Sequence, residues 1–135
     1  MATAQIVYQG ELRTTCAHLQ SGTSIITDAP TDNFGKGEAF SPTDLVATAL
    51  GACMITTMGI VANRDGINLD GTKISVTKVM ESNPRRIGKI EVICDIPNKN
   101  LTPDEIQKLE HTGRNCPVDK SLHPDLVREY TFNYV

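Results

Sequence analysis

The spacing of apolar and polar positions changes several times along the chain, and each change predicts an element. Gln5 to Tyr8 and Leu12 to Leu19 flank Gly10 and read as a hairpin; Ser21-Gly22 then turns the chain into a third strand over Thr23 to Thr27. The loop DAPTDNFGKGEAF follows, rich in Asp, Gly and Pro. Unstructured loops of this length in small domains are commonly functional, so it is a candidate wall of a site. Ser41-Pro42-Thr43-Asp44 reads as a helix start, with Ser41 as cap, Pro42 at the first helical position and Asp44 three residues past the cap. The segment LVATALGACMITTMGIVANRDG then continues as a helix of about six turns, stopping near Asp65-Gly66. It is apolar on nearly every side, which predicts burial all round. In so short a chain that requires a sheet wrapped around the helix or a second copy of the protein.

Two alternating runs come next. Thr72 to Met80 sets Ile74, Val76 and Lys78 against Ser75, Thr77 and Val79; Ile87 to Ile96 alternates likewise, and Ser82 to Arg86 joins the two as a hairpin turn. Thr102-Pro103-Asp104-Glu105 is a full capping box ahead of an amphipathic helix carrying Ile106, Leu109 and Gly113. Cys116-Pro117-Val118 opens a third, short helix, and Arg128 to Val135 is a last strand. The predicted order is βββ-α-ββ-α-α-β, an α+β fold.

A length of 135 residues predicts a single domain over 1–135. The net charge of −3, with Arg85-Arg86 as the one adjacent basic pair, argues against nucleic acid as the partner. No stretch approaches 18 uninterrupted apolar residues, so no membrane span is expected. The start of the sequence shows no basic segment followed by an apolar core, so no secretory signal is expected either. A reducing, cytoplasmic setting follows as the expectation for Cys16, Cys53, Cys94 and Cys116. There is no CxxC and no HxxxH pair, so neither a metal nor a cofactor is expected.

Two cysteines stand out. Cys53 sits mid-helix among small residues, in Leu50-Gly51-Ala52-Cys53-Met54. That setting suits a covered thiol, whether inert packing or a protected reactive group. Cys116 precedes Pro117 and so falls at a helix cap, where unpaired N–H groups would lower a thiol pKa, helped by Arg114. Packing is the alternative there too. Cys16 and Cys94, on strands, read as packing residues. His18 reads as structural, His111 as part of a solvated face and His123, before Pro124, as a turn residue.

FSPTDLVATALGACM resembles the OsmC/Ohr signature, a Pro-led buried helix carrying a peroxide-attacking cysteine, and Asn115-Cys116-Pro117-Val118-Asp119-Lys120-Ser121-Leu122 resembles that family's second motif, which carries the resolving cysteine. The resemblance implies an intertwined homodimer with a central pair of helices. It also implies a mechanism: Cys53 attacks a small hydroperoxide, Cys116 closes a disulfide, and a dithiol reductant, lipoyl-linked or thioredoxin-like, restores both thiols. The chain departs from the family's best-studied members at two points. Their Glu, ten residues before the attacking cysteine, is here Thr43, with Asp44 beside it. Their loop Arg has no counterpart, which leaves Lys36 in the loop, Glu38 as a nearby carboxylate and Arg13 on an early strand as possible supporting residues. The departures favour, as an alternative, a catalytically weak binding or redox-sensing protein that uses the pocket at the dimer interface. A hydrolase pairing Cys with His is a third reading, without a His close in sequence to either key cysteine.

Overall fold

Both periodicities read from the sequence are realised in a computed structural model that describes residues 1–135. The chain divides into two units, Met1–Val46 and Ala47–Val135.

The first unit is an antiparallel meander of β1 (Ala4–Gly10), β2 (Arg13–His18) and β3 (Ser24–Asp28), in that order. Ile6 pairs with Cys16, and Cys16 with Ile25. The β1–β2 turn places Glu11 and Leu12 at positive φ (54° and 63°), after Gly10 at 87°. Non-glycine residues reach that region at a cost. Here Leu12 is held from both sides: its N–H meets the Tyr8 hydroxyl at 3.2 Å, and its carbonyl accepts from Ala29 N–H at 3.0 Å. The buried residues of this unit are Thr27, Asp28 and Ser41, none of them apolar. Ile6, Val7, Tyr8, Ile25, Ile26 and Phe34 stand exposed.

The second unit holds the hydrophobic core. Its sheet is β4 (Lys73–Glu81), β5 (Arg86–Ile96) and β6 (Val127–Tyr134), with β5 central, antiparallel to β4 and parallel to β6. A parallel neighbour requires a crossover. The chain between β5 and β6 supplies it through α2 (Pro103–Arg114) and α3 (Pro117–Ser121). Ile90, Val92, Cys94 and Ile96 alternate into the core from β5, each 0% exposed.

The long helix α1 (Pro42–Asp65) begins in the first unit. Its start forms as the sequence predicts: Asp44 N–H donates to Ser41 Oγ at 3.1 Å, and Ser41 N–H donates to Asp44 Oδ2 at 3.0 Å. The expectation of burial all round is not met within one chain. Ala47, Leu50, Gly51, Met54, Met58 and Ala62 form one buried stripe at helical spacing. Ala49, Ala52, Thr56, Ile60 and Asn63 form an exposed stripe. The buried stripe lies on the sheet so closely that a Cβ on Gly51 would come within 2.9 Å of Ile74 Cγ2 and Val76 Cγ1. Contrary to the sequence expectation, α1 is long and apolar enough to cross a membrane by length and composition. The scattered threonines that break its apolar run are too weakly polar to change its average. A core helix satisfies the same measure, and 33% of that window is packed inside the protein.

Helix α2 opens with the predicted capping box: Glu105 N–H donates to Thr102 Oγ1 at 3.2 Å and Thr102 N–H to Glu105 Oε1 at 2.9 Å. Such a cap is worth about 1 kcal/mol. α2 buries Leu109 and Gly113, the latter against Met54 and Met58 of α1.

Candidate active site

Helix α1 and the short α3 bring Cys53 and Cys116 close enough for the Cys53 thiol to bear on the ionisation of Cys116. Both are free thiols. Cys53 lies at the edge of the buried stripe and is half-buried. One turn on, the Thr57 hydroxyl donates to Cys53 O at 2.7 Å and lies 3.9 Å from Cys53 Sγ.

Cys116 is 0% exposed and occupies the N-cap of α3, with Pro117 at the first helical position, as the sequence predicts. Its sulfur accepts the Asp119 N–H at 3.5 Å. Burial pushes the Cys116 thiol pKa up, while the N–H groups of Asp119 and Val118 pull it down and the neighbouring Cys53 adds to the rise. The net direction is upward, which corrects the expectation of a lowered value. Removal of water from a sulfur at the core penalises the thiolate more than two N–H groups of a five-residue helix favour it. Arg114 does not supply the missing cation. Its guanidinium lies over the rings of Tyr130 and Phe132, 5.8 and 5.2 Å from their centroids.

Below Cys116 lies a polar network that the sequence reading missed. Asp119, whose side chain is 12% exposed, accepts from the Tyr130 hydroxyl at 2.6 Å and from Arg128 Nε at 3.1 Å. Burial, and then the Asp119 carboxylate, push the Tyr130 hydroxyl pKa up. These residues, with Lys120, Leu122 and Pro124, line a recess of about 480 Å³. Tyr130 and Arg128 sit two apart on β6 and so share a face, a signal that alternation alone could have supplied.

The other candidates lie in the first unit. Arg13 forks onto Asp28, Nε to Oδ1 at 2.7 Å and Nη2 to Oδ2 at 2.8 Å, and reaches Glu38 Oε1 at 3.2 Å. The Glu38 N–H donates to Asp28 Oδ2 at 3.1 Å. Asp28, 1% exposed, was not singled out by sequence. Arg13 holds its carboxyl well below the usual range. Lys36 pairs instead with Glu11 at 2.8 Å. Thr43 Oγ1 lies 3.3 Å from Ser41 Oγ, and Asp44 is engaged in the cap. Cys94 is buried, its thiol pushed up to about 12 by burial and then by Asp95 and Glu110, so it is inert at neutral pH. His18 Nδ1 bonds Ser21 Oγ at 2.6 Å, His111 is exposed, and His123 Nδ1 accepts from Asp125 N–H at 3.0 Å to shape a turn. No group of three or more His, Cys, Asp or Glu side chains could hold a metal ion.

The family model described as OsmC-like protein matches residues 35–130, which span both cysteine motifs. The chain belongs to the OsmC-like protein family. A crystal structure from Psychrobacter arcticus 273-4, provisionally described as an osmotic stress induced and detoxification response protein, is 47% identical to this OsmC-like chain. It superposes with a TM-score of 0.94 over 98% of this chain and 96% of its own. An organic hydroperoxide resistance protein from Legionella pneumophila shares the fold at 17% identity, TM-score 0.76, over 98% of both chains. An OsmC like protein from Mycoplasma pneumoniae does so at 18% identity, TM-score 0.79, over 98% of this chain and 95% of its own. No curated protein matches the sequence.

Proposed function

We propose that this OsmC-like protein is a thiol peroxidase that reduces organic hydroperoxides or hydrogen peroxide. The observation that carries the reading is the juxtaposition of the Cys53 and Cys116 thiols, one half-buried and one fully enclosed. The Cys53 thiolate attacks the terminal peroxide oxygen; the O–O bond breaks, an alcohol or water leaves after protonation, and Cys53 becomes a sulfenic acid. The Cys116 thiolate then attacks the Cys53 sulfur. The S–S bond forms as the S–O bond breaks, and the departing hydroxide leaves as water with the proton that Cys116 gave up. A dithiol reductant, lipoyl-linked or thioredoxin-like, returns both thiols by exchange. Four free thiols fit a reducing, cytoplasmic compartment. Structural relatives named organic hydroperoxide resistance proteins support the substrate class.

The attack on peroxide needs a cation that favours the thiolate; Arg13, a supporting candidate from the sequence, is paired with Asp28 and Glu38 within the first unit. The working unit is a homodimer with one domain per chain. The apolar surface of the first unit and the exposed stripe of α1 support it.

The test is one equivalent of cumene hydroperoxide on the reduced protein, with thiols counted and disulfides mapped by mass spectrometry. The peroxidase reading expects a Cys53–Cys116 disulfide in wild type, a trappable sulfenic acid in Cys116→Ser and no reaction in Cys53→Ser. Four thiols persisting in wild type would overturn it. That result would favour the redox-sensing or binding reading, for which the replacement of the family's Glu by Thr43 speaks.

A further inference from the structure

The α3 turn that carries Cys116 is tied to the sheet by one side chain with an unusual number of bonds. Arg128, on β6, donates from Nε to Asp119 Oδ1 at 3.1 Å, from Nη1 to His123 O at 3.0 Å and to Leu126 O, and from Nη2 to Asp119 O at 2.8 Å and Leu122 O at 3.3 Å. Its side chain is 15% exposed. Two residues along the same strand, the Tyr130 hydroxyl closes on the same Asp119 oxygen at 2.6 Å. Asp119 itself donates its backbone N–H to Cys116 Sγ at 3.5 Å. The thiol, the turn and the parallel strand β6 are thus joined through a single aspartate. β6 is held in turn by central β5, with Arg128 opposite Ile90 and Tyr130 opposite Val92.

A five-residue helix cannot hold its own shape in water, since fixing a first turn gains too few bonds to offset the chain entropy lost. The guanidinium adds bonds to the carbonyls of residues 119, 122, 123 and 126, of which Asp119 O and His123 O also accept the N–H groups of Leu122 and Leu126. A surface bridge could be satisfied by one or two of these contacts. A planar fork that spends its donors on the residues after Cys116 fixes where that thiol sits. Orientation matters here because a sulfur must attack along the axis of the bond it breaks, and small displacements are costly.

We propose that Asp119, Arg128 and Tyr130 are positioning residues for the resolving step, a clamp that holds Cys116 aimed at Cys53 and has no part in the first attack. The inference rests on the two-cysteine reading for its biological sense, but the exchange chemistry it predicts can be measured without peroxide. Dithiobis(nitrobenzoate) is the probe. The Cys53 thiolate displaces one thionitrobenzoate anion and keeps the other as a mixed disulfide. The Cys116 thiolate then displaces the second, leaving the Cys53–Cys116 disulfide. Two anions released per reagent molecule balance the two thiols oxidised. A Cys16→Ser background removes the one part-exposed cysteine besides Cys53, and Cys94 stays buried.

In that background, Asp119→Asn and Arg128→Gln should slow the second release by ~10-fold or more, the size of effect that misaligned reacting atoms produce. The first release should stay within about twofold, as expected for a clamp remote from the first attack. Arg128→Lys should recover little, because an ammonium cannot fork across the carbonyls. Tyr130→Phe keeps the ring and removes only the hydroxyl, so it tests the clamp in a folded protein even where Arg128→Gln fails to fold; it too should slow the second release alone. With cumene hydroperoxide the same variants should accumulate Cys53 sulfinic acid, because the sulfenic acid waits longer for its partner. Folded variants whose second release keeps the wild-type rate would overturn the clamp. So would a parallel fall of both releases, which marks general loosening, or a wild type that gives no second release. A wild type that exchanges with the aromatic disulfide but ignores peroxide leaves the clamp standing and removes the peroxidase.

Discussion

At the scale of single residues, the two thiols are governed by opposite needs. On the proposed peroxidase reading, Cys53 has to meet substrate and is left half-open within the chain, whereas Cys116 has to be kept from it and is enclosed. Enclosure raises the Cys116 pKa, so its folded-state value lies above that of the unfolded chain. Two consequences follow in pH. Only the thiolate attacks, so the resolving step should speed up by about tenfold per pH unit from neutrality until the thiol titrates; stopped-flow release of the second thionitrobenzoate measures it, and a flat profile would refute a buried, protonated Cys116. The folded state also holds that proton more tightly than the unfolded state. Its contribution to stability is therefore full below the unfolded thiol value, about 8.5, and is lost as pH rises past it. Asp28 runs the other way. Arg13 depresses its pKa, so its contribution is present above the unfolded value of about 3.9 and is lost as pH falls through the lower folded value. Denaturant melts of Asp28→Asn should differ from wild type most at neutral pH and converge with it in acid. A gap that widens in acid would contradict the assigned ion pair.

At the scale of elements, what the sequence made legible was what local chemistry decides. Both capping boxes, the Cys116 cap and every strand lie where the pattern puts them, because caps and alternation are properties of neighbouring residues. The Cys116 pKa was misread for the complementary reason: the cap is local, but the burial that outweighs it comes from packing against distant parts of the chain. Asp28 and Asp119 were missed because an aspartate next to a turn has the same sequence appearance whether it faces water or a guanidinium. The glycines of two elements make this distinction testable. Gly51 faces the β-branched side chains of Ile74 and Val76, held in the sheet, whereas Gly113 faces the flexible Met54 and Met58. Alanine gains up to about 1 kcal/mol of helix propensity at either site. Gly51→Ala should nevertheless be destabilising, by about 1–3 kcal/mol, since the overpacked neighbours cannot step aside. At Gly113 the thioether chains can repack, and alanine should fall within about 1 kcal/mol of wild type. Urea midpoints of the two variants decide it; equal losses would mean that proximity alone, and not the flexibility of the neighbour, sets the cost.

At the scale of the whole molecule, the distribution of apolar surface is lopsided. Every buried apolar side chain belongs to the second unit, while the first exposes Ile6 at 59%, Tyr8 at 62% and Phe34 at 93%. A three-stranded sheet without an apolar core of its own is marginal in water. Along α1, Ala49, Ala52, Thr56 and Ile60 repeat at helical spacing on the open side, with Ile60 65% exposed. Small residues at that spacing let a second helix approach closely, and Ile60 supplies apolar area to bury. The expectation that this helix is covered on all sides is not met within one chain; in the proposed homodimer a second copy would cover it with the same stripe facing itself, as an isologous contact requires. Ala52→Asp and Ile60→Asp each place a charge at the centre of that contact, opposite its own symmetry mate. Both positions are solvent-facing in the isolated chain, so neither change disturbs the Met54–Met58 stripe beneath. By light scattering the wild type should be a dimer at micromolar concentration, and the double variant should be monomeric or aggregated, with less protection of the first unit from proteolysis. A wild type that stays monomeric would assign the exposed stripe to some other partner. A double variant that stays dimeric would move the contact elsewhere, most plainly to the exposed apolar residues of the first unit.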